Sequence, residues 1–108
     1  MTPPEDQLTG PIIAERRLSV RISDTEVQEA VIRLAAPQRE DDGYYRCSWE
    51  LVAPGYRKAF FTAGFDGFQA IHLATRMIGV NLWCIAQEKG YKFTWEGSED
   101  IEFPDFHA

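Results

Sequence analysis

At 108 residues and 12.3 kDa the chain has material for one hydrophobic core and not for two. Its 44% apolar, 13% aromatic and 26% charged residues exclude a disordered chain and a membrane-embedded one. The 17 acids against 11 bases leave a net charge of −6 and a pI near 4.8, which excludes a protein whose whole surface tracks phosphates.

The opening MTPPEDQLTGP carries two acids, no Lys or Arg and no apolar run, so it lacks the basic start and apolar middle of a secretory signal, and a cytoplasmic location is expected. Residues 1–11 hold three of the six prolines and Gly10, which predicts a flexible arm ahead of a single domain over 12–108. From Ile12 to Ile22 the chain alternates, with Ala14, Leu18, Val20 and Ile22 on one face and Glu15, Arg17, Ser19 and Arg21 on the other, as a half-buried strand does. Ser23–Glu26 is turn chemistry. VQEAVIRL is a second strand whose apolar phase slips between Val27 and the set Ala30, Ile32, Leu34, so a bulge is expected near Gln28 or Glu29.

Ala36–Gly43 combines a proline, four charges and a terminal Asp-Gly and reads as a loop. YYRCSWEL then alternates, with Tyr45, Cys47, Trp49 and Leu51 facing one way and Tyr44, Arg46, Ser48 and Glu50 the other. Pro54 and Gly55 fit the second and third positions of a type II turn, so a hairpin leads into RKAFFTAGF.

The period changes to 3.6 at Phe65-Asp66-Gly67-Phe68-Gln69, where Asp66 and Gln69 have the spacing of a capping box. Ile71, Ala74, Ile78, Leu82 and Ile85 fall within about 40° of one direction and form the expected buried stripe. Lys89-Gly90 marks the helix end. At about 1.5 Å per residue this helix overhangs the strands unless another segment packs there, and YKFTW (residues 91–95) is the candidate. The following EGSEDIEFPDFHA holds five acids and no Lys or Arg, yet Ile101, Phe103 and Phe106 suit a tail pinned across the body better than a loose one.

Little in the chain points to catalysis. His72 is expected on the exposed flank of the helix and His107 is the penultimate residue, so neither is placed beside a nucleophile or a second metal ligand. Glu40-Asp41-Asp42-Gly43 lacks the ligand pattern of a calcium loop, and Gly64 with Gly67 is a weak phosphate motif. Cys47 and Cys84, without a C-x-x-C pair, are expected to be unbridged thiols. No catalytic residue, metal or cofactor is assigned.

Two surface features stand out. The first is an open sheet face expected to gather Arg17, Arg21, Arg33, Arg46 and Lys58 with Tyr44, Phe60, Glu15 and Glu50. Cross-strand pairing among these charges or neutralisation by the chain's own C-terminal acids is its simplest reading, with an acidic protein partner and then a single-stranded nucleic acid as the alternatives. The second is the helix back, where Leu73, Val80 and Trp83 share a direction with Gln69, Arg76 and Gln87. Tail aromatics, a homodimer or a protein partner anchored by Trp83 are the candidates to cover it.

The runs IAERRL (Ile13–Leu18), Tyr-Arg-Cys-Ser-Trp-Glu, F-D-G-F-Q-A-I-H-L-A and F-T-W-E-G with Phe103-Pro104 resemble a family of small bacterial domains of unknown function over residues 12–106. The resemblance implies a strand-rich half followed by one helix and carries no catalytic residue to transfer. The expected fold is α+β, an antiparallel sheet of four to five strands with one long helix on one face. The expected function is protein binding without catalysis, most concretely by an immunity protein occluding a basic toxin. The residues expected to serve are Trp83, Val80, Arg76, Glu99, Asp100, Glu102, Phe103 and Phe106, with nucleic acid the less favoured partner.

Overall fold

The computed structural model describes residues 8–106. Six antiparallel strands and one helix follow in the order β1 (Ile12–Arg21), β2 (Val27–Ala35), β3 (Gln38–Arg39), β4 (Tyr45–Ala53), β5 (Tyr56–Gly64), α1 (Gly67–Lys89) and β6 (Lys92–Thr94). This is the α+β arrangement expected, with one long helix on one face of an antiparallel sheet.

β4 is the hub of the sheet. β5 lies along one of its edges from Tyr45↔Gly64 to Ala53↔Tyr56, while β2 and then β3 pair with it at Trp49–Val52 and at Tyr45–Arg46. β2 and β3 are thus one strand line interrupted at Ala36-Pro37, where proline has no N–H to give to a ladder. Residues 36–43, expected as loop, therefore contribute two residues to the sheet. β1 pairs with the far side of β2, and β6 pairs with β1 at Ser19–Arg21.

The bulge expected at Gln28 or Glu29 does not occur. Pairing runs unbroken through Ser19↔Glu29, Val20↔Gln28 and Arg21↔Val27, and the register shift falls between Ile12 and Ala14. Val27 is simply an exposed apolar residue on the outward face, opposite the outward Arg21.

The inner face supplies Leu18, Val20, Ala30, Ile32, Leu34, Cys47, Trp49 and Leu51 to the core, and α1 supplies Ala70, Ala74, Ile78, Leu82 and Ile85. Asp66 caps the helix by accepting the Gln69 N–H at 2.8 Å, and Gln69 Oε1 accepts the Phe65 N–H at 2.7 Å. Gly90 closes it in the left-handed region at φ 69°. The helix packs over β4 and β5, with Trp49 Nε1 donating to Asn81 Oδ1 at 3.2 Å.

An offset helix leaves the β1–β2 half of the inner face to other segments. Phe93 of β6 and Ile101 are buried there, and Phe103 and Phe106 pack against the same core, so the C-terminal segment is a strap that completes it. Its anchor is Arg16, which the sequence reading assigned to neither face of β1. Alternation turns Arg16 inward, where Nη1 donates to the carbonyls of Ile101 at 3.0 Å and Glu102 at 3.3 Å. Its guanidinium stacks 3.9 Å from the centre of the Trp95 ring and 4.8 Å from that of Phe103.

The strap then crosses α1 at Gly79, where a Cβ would stand 1.8 Å from the Pro104 carbonyl oxygen and 3.2 Å from the Phe106 nitrogen. Only glycine lets the backbones meet this closely. Of the arm expected over 1–11, residues 1–7 lie outside the described residues. The remainder is tied to the outer face of the sheet. Thr9 N–H donates to Ser48 Oγ at 2.9 Å, and the Pro11 carbonyl accepts from Ala36 N–H at 2.8 Å.

Candidate protein-binding surfaces

The C-terminal strip is bound inward. Asp105 pairs with Arg76 at 2.9 Å and Glu99 with Lys92 at 2.6 Å. The hydrogen bond from Lys92, reinforced by its charge, holds the Glu99 carboxyl below its ordinary pKa. Asp100 Oδ1 accepts the Glu102 N–H at 2.9 Å. Phe103 lies under Arg16, and Phe106 meets the edge of Phe93 at 6.3 Å between ring centres. Both rings are half-buried against their own chain and are not free anchors for a partner. On the helix back Val80 is half-buried, while Trp83 remains 40% exposed. The eight residues grouped by sequence therefore divide into the strap residues with Arg76, a half-buried Val80 and an exposed Trp83.

The outer sheet face is also largely self-paired. Arg17 meets Glu29 at 2.6 Å and Glu15 at 3.4 Å, and Arg33 meets Glu15 at 3.0 Å. Glu50, buried among these cations, accepts from Arg57 at 2.7 Å and lies 3.9 Å from Arg33. Arg21 donates to the Asp24 carbonyl at 3.4 Å.

Two members of the expected basic face belong to the other side. Lys58 pairs with Leu51 and Phe60 with Trp49, and directly opposed residues share a face, so both turn toward the helix. Phe60 stacks on Trp49 with ring centres 5.6 Å apart. β5 alternates without a polar phase, so only its register with β4 fixes which set faces in. Arg46 is buried, its guanidinium carbon 3.7 Å from the centre of the Phe61 ring. Of the seven residues expected to share that face, Arg17, Arg21 and Arg33 stand on it with access to solvent, and Arg17 and Arg33 are neutralised by neighbouring carboxylates, while Tyr44 precedes β4 and turns to Phe65.

A third surface joins Tyr44, expected on the outer sheet face, to Phe65 and Phe68, which enter the sequence only as helix-start signals. Phe65 is 74% exposed and Phe68, in the first turn of α1, 88%. Tyr44, 44% exposed, brings its ring to 5.4 Å from that of Phe65. Asp66 lies between the two phenylalanines, and the exposed turn Glu40-Asp41-Asp42 leads directly into Tyr44, whose N–H Asp42 accepts at 2.9 Å. The signal was the F-D-G-F run itself. Two large apolar residues flank a capping turn where neither the strand period nor the helical stripe has a buried position for them.

The thiols are free and differ in setting. Burial pushes Cys47 up to about 11, whereas Cys84 is exposed on α1. Beside β5 a groove of about 700 Å³ is lined by Trp49, Lys58, Phe60, Thr62 and Met77. Among the described residues no group of three or more His, Cys, Asp or Glu side chains is arranged to hold a metal ion. No helix is long and apolar enough to cross a membrane.

A mostly self-paired sheet face, one offset helix, a C-terminal strap and an exposed aromatic group at the helix start together define a small α+β domain. By sequence the chain belongs to the family described as Domain of unknown function (DUF6968), which matches residues 14–105. The matched span runs from β1 to Asp105 and so includes the strap as well as the sheet and helix. No curated protein and no solved structure matches the chain.

Proposed function

We propose that this is a protein-binding domain without catalytic activity, and in its most concrete form a bacterial, cytoplasmic immunity protein that occludes a basic toxin. The observation that carries this reading is the group of exposed rings Tyr44, Phe65 and Phe68, with Asp66 at the cap between the phenylalanines and Asp42 accepting the Tyr44 N–H. Burying an exposed ring of this size in a complex is favourable by about 1.5–3 kcal/mol, and exposed apolar groups rimmed by charge suit a docking site. The net charge of −6 favours a partner of opposite sign, since such charge accelerates encounter and rejects acidic proteins. Occlusion needs complementary shape and charge and no reacting group.

The test is capture of a partner from the native host on immobilised domain, run beside a labelled single-stranded oligonucleotide titrated over a salt series. Recovery of a basic protein in fixed stoichiometry, with its activity lost on binding, supports the reading. Oligonucleotide binding that falls steeply with salt, with no protein recovered, refutes it.

A further inference from the structure

The aromatic and acidic end has a chemistry more specific than apolarity. Guanidinium groups are planar, weakly hydrated cations that stack on ring faces and present forked donors to carboxylates, whereas an ammonium is a compact, strongly hydrated charge. Tyr44, Phe65 and Phe68 supply rings in water, Asp42 accepts the Tyr44 N–H and Asp66 caps the helix between the two phenylalanines, and the exposed Glu40 and Asp41 precede them in the same turn, with Arg39 as the neighbouring exposed cation. Neither Glu40 nor Asp41 has an ion-pair partner among the described residues.

The same pairing chemistry already operates within the chain. Arg16 lies over Trp95 and Phe103 while donating to two strap carbonyls, and Arg46 lies over Phe61. At the Tyr44–Phe65–Phe68 end none of the cation–ring contacts among the described residues falls on these rings, although Arg39, which pairs with Tyr45, is exposed nearby. The other acidic surface, from Glu96 to Asp105, differs in that its aromatic rings are folded onto the body.

We infer that this end receives an arginine-rich segment of the partner, its guanidinium groups stacked on Phe65, Phe68 and Tyr44 and its forks on the surrounding carboxylates. The inference rests on the protein-binding reading above and adds to it the place of docking and the chemistry that docks.

The test uses the full chain with two short peptides of equal length and charge, an Arg-Gly repeat and a Lys-Gly repeat, followed by calorimetry and by backbone amide shifts. The Arg-Gly peptide is expected to bind at least about fivefold more tightly than the Lys-Gly peptide, because stacking distinguishes the cations where net charge does not. Shifts are expected to cluster at residues 40–44 and 65–72. Phe65→Ser with Phe68→Ser should weaken the Arg-Gly peptide about tenfold. Both side chains are exposed, so the double variant should keep its unfolding midpoint.

Neutralising Glu99 and Asp100 as Glu99→Gln and Asp100→Asn should leave binding within about twofold apart from the general loss of charge. Equal affinity for the two peptides, no binding of either, an unaffected double variant, or shifts centred on residues 96–105 would each overturn the inference. A host protein captured equally by wild type and by the double variant would overturn this site while leaving the protein-binding reading standing. Failure to capture any protein would count against that reading separately.

Discussion

Gly79→Ala should change sign according to whether the C-terminal strap is present. In an exposed helix interior alanine is favoured over glycine by about 1 kcal/mol. Here the new Cβ would fall 1.8 Å from the Pro104 carbonyl oxygen and 2.9 Å from its carbon, both backbone atoms that cannot rotate aside. The strap must therefore lift between Pro104 and Phe106. Lifting forfeits the edge contact of Phe106 with Phe93, about 0.5–1.5 kcal/mol, and roughly 1 kcal/mol of ring burial. It also releases the exposed Arg76–Asp105 pair, about 0.2–1 kcal/mol.

Losses of about 2–3 kcal/mol against a gain of about 1 leave the full chain less stable by about 1–2 kcal/mol, or roughly 4–16 °C in Tm for a domain of this size. In a chain ending at Phe103 the obstructing atoms are gone, and the same substitution should stabilise by about 1 kcal/mol. Urea unfolding of the four proteins, the two backgrounds each with and without the substitution, gives both differences in one cycle. Destabilisation of equal size in both backgrounds would refute the reasoning, since the effect would then belong to the helix and not to the strap.

Other substitutions probe the remaining contacts. Arg16→Met should cost about 1–3 kcal/mol and raise amide exchange from Ile101 to Phe106, and Arg16→Lys should not restore it, because the ammonium cannot stack on Trp95 and Phe103 while bridging two carbonyls. Gly64→Ala would place a Cβ 2.6 Å from the Ala70 nitrogen, forcing α1 away from β5, and should lower the urea midpoint by an amount equivalent to about 1–3 kcal/mol. Native protein should react with Ellman's reagent at Cys84 alone, and at both thiols once unfolded in the absence of reductant; reaction at neither after unfolding would mean a bridge. With Cys47 raised to about 11 in the fold, the unfolded chain loses this proton first as pH rises. Its contribution is full below the unfolded thiol's pKa and is lost between about pH 9 and 11, where wild type should lose up to about 2–3 kcal/mol more than Cys47→Ala.

The sequence exposed those features whose signal is local. Asp66 with Gln69, Lys89-Gly90 and Pro54-Gly55 each specify a cap or turn through their own side chains or permitted dihedrals, and the helix and hairpin follow from them. What escaped was decided by partners distant along the chain. Lys58 and Phe60 were assigned to the outer face because β5 carries apolar residues on both phases, and only its register with Leu51 and Trp49 turns them inward. Arg16 has no apolar neighbour in sequence to explain an inward charge. Its reason is the strap some 85 residues away, whose carbonyls and rings receive it. The acidic tail was legible as aromatic-bearing but not as closed upon itself, since that depends on Gly79 admitting its backbone. This bears directly on function. The strip richest in acids uses Phe103 and Phe106 for its own folding, and among the described aromatic rings Phe65 and Phe68 are the most exposed, held out by a cap that fixes where the helix begins. An exposed ring at such a cap contributes little to the core, which is why the proposed docking site is placed there and not on the strap.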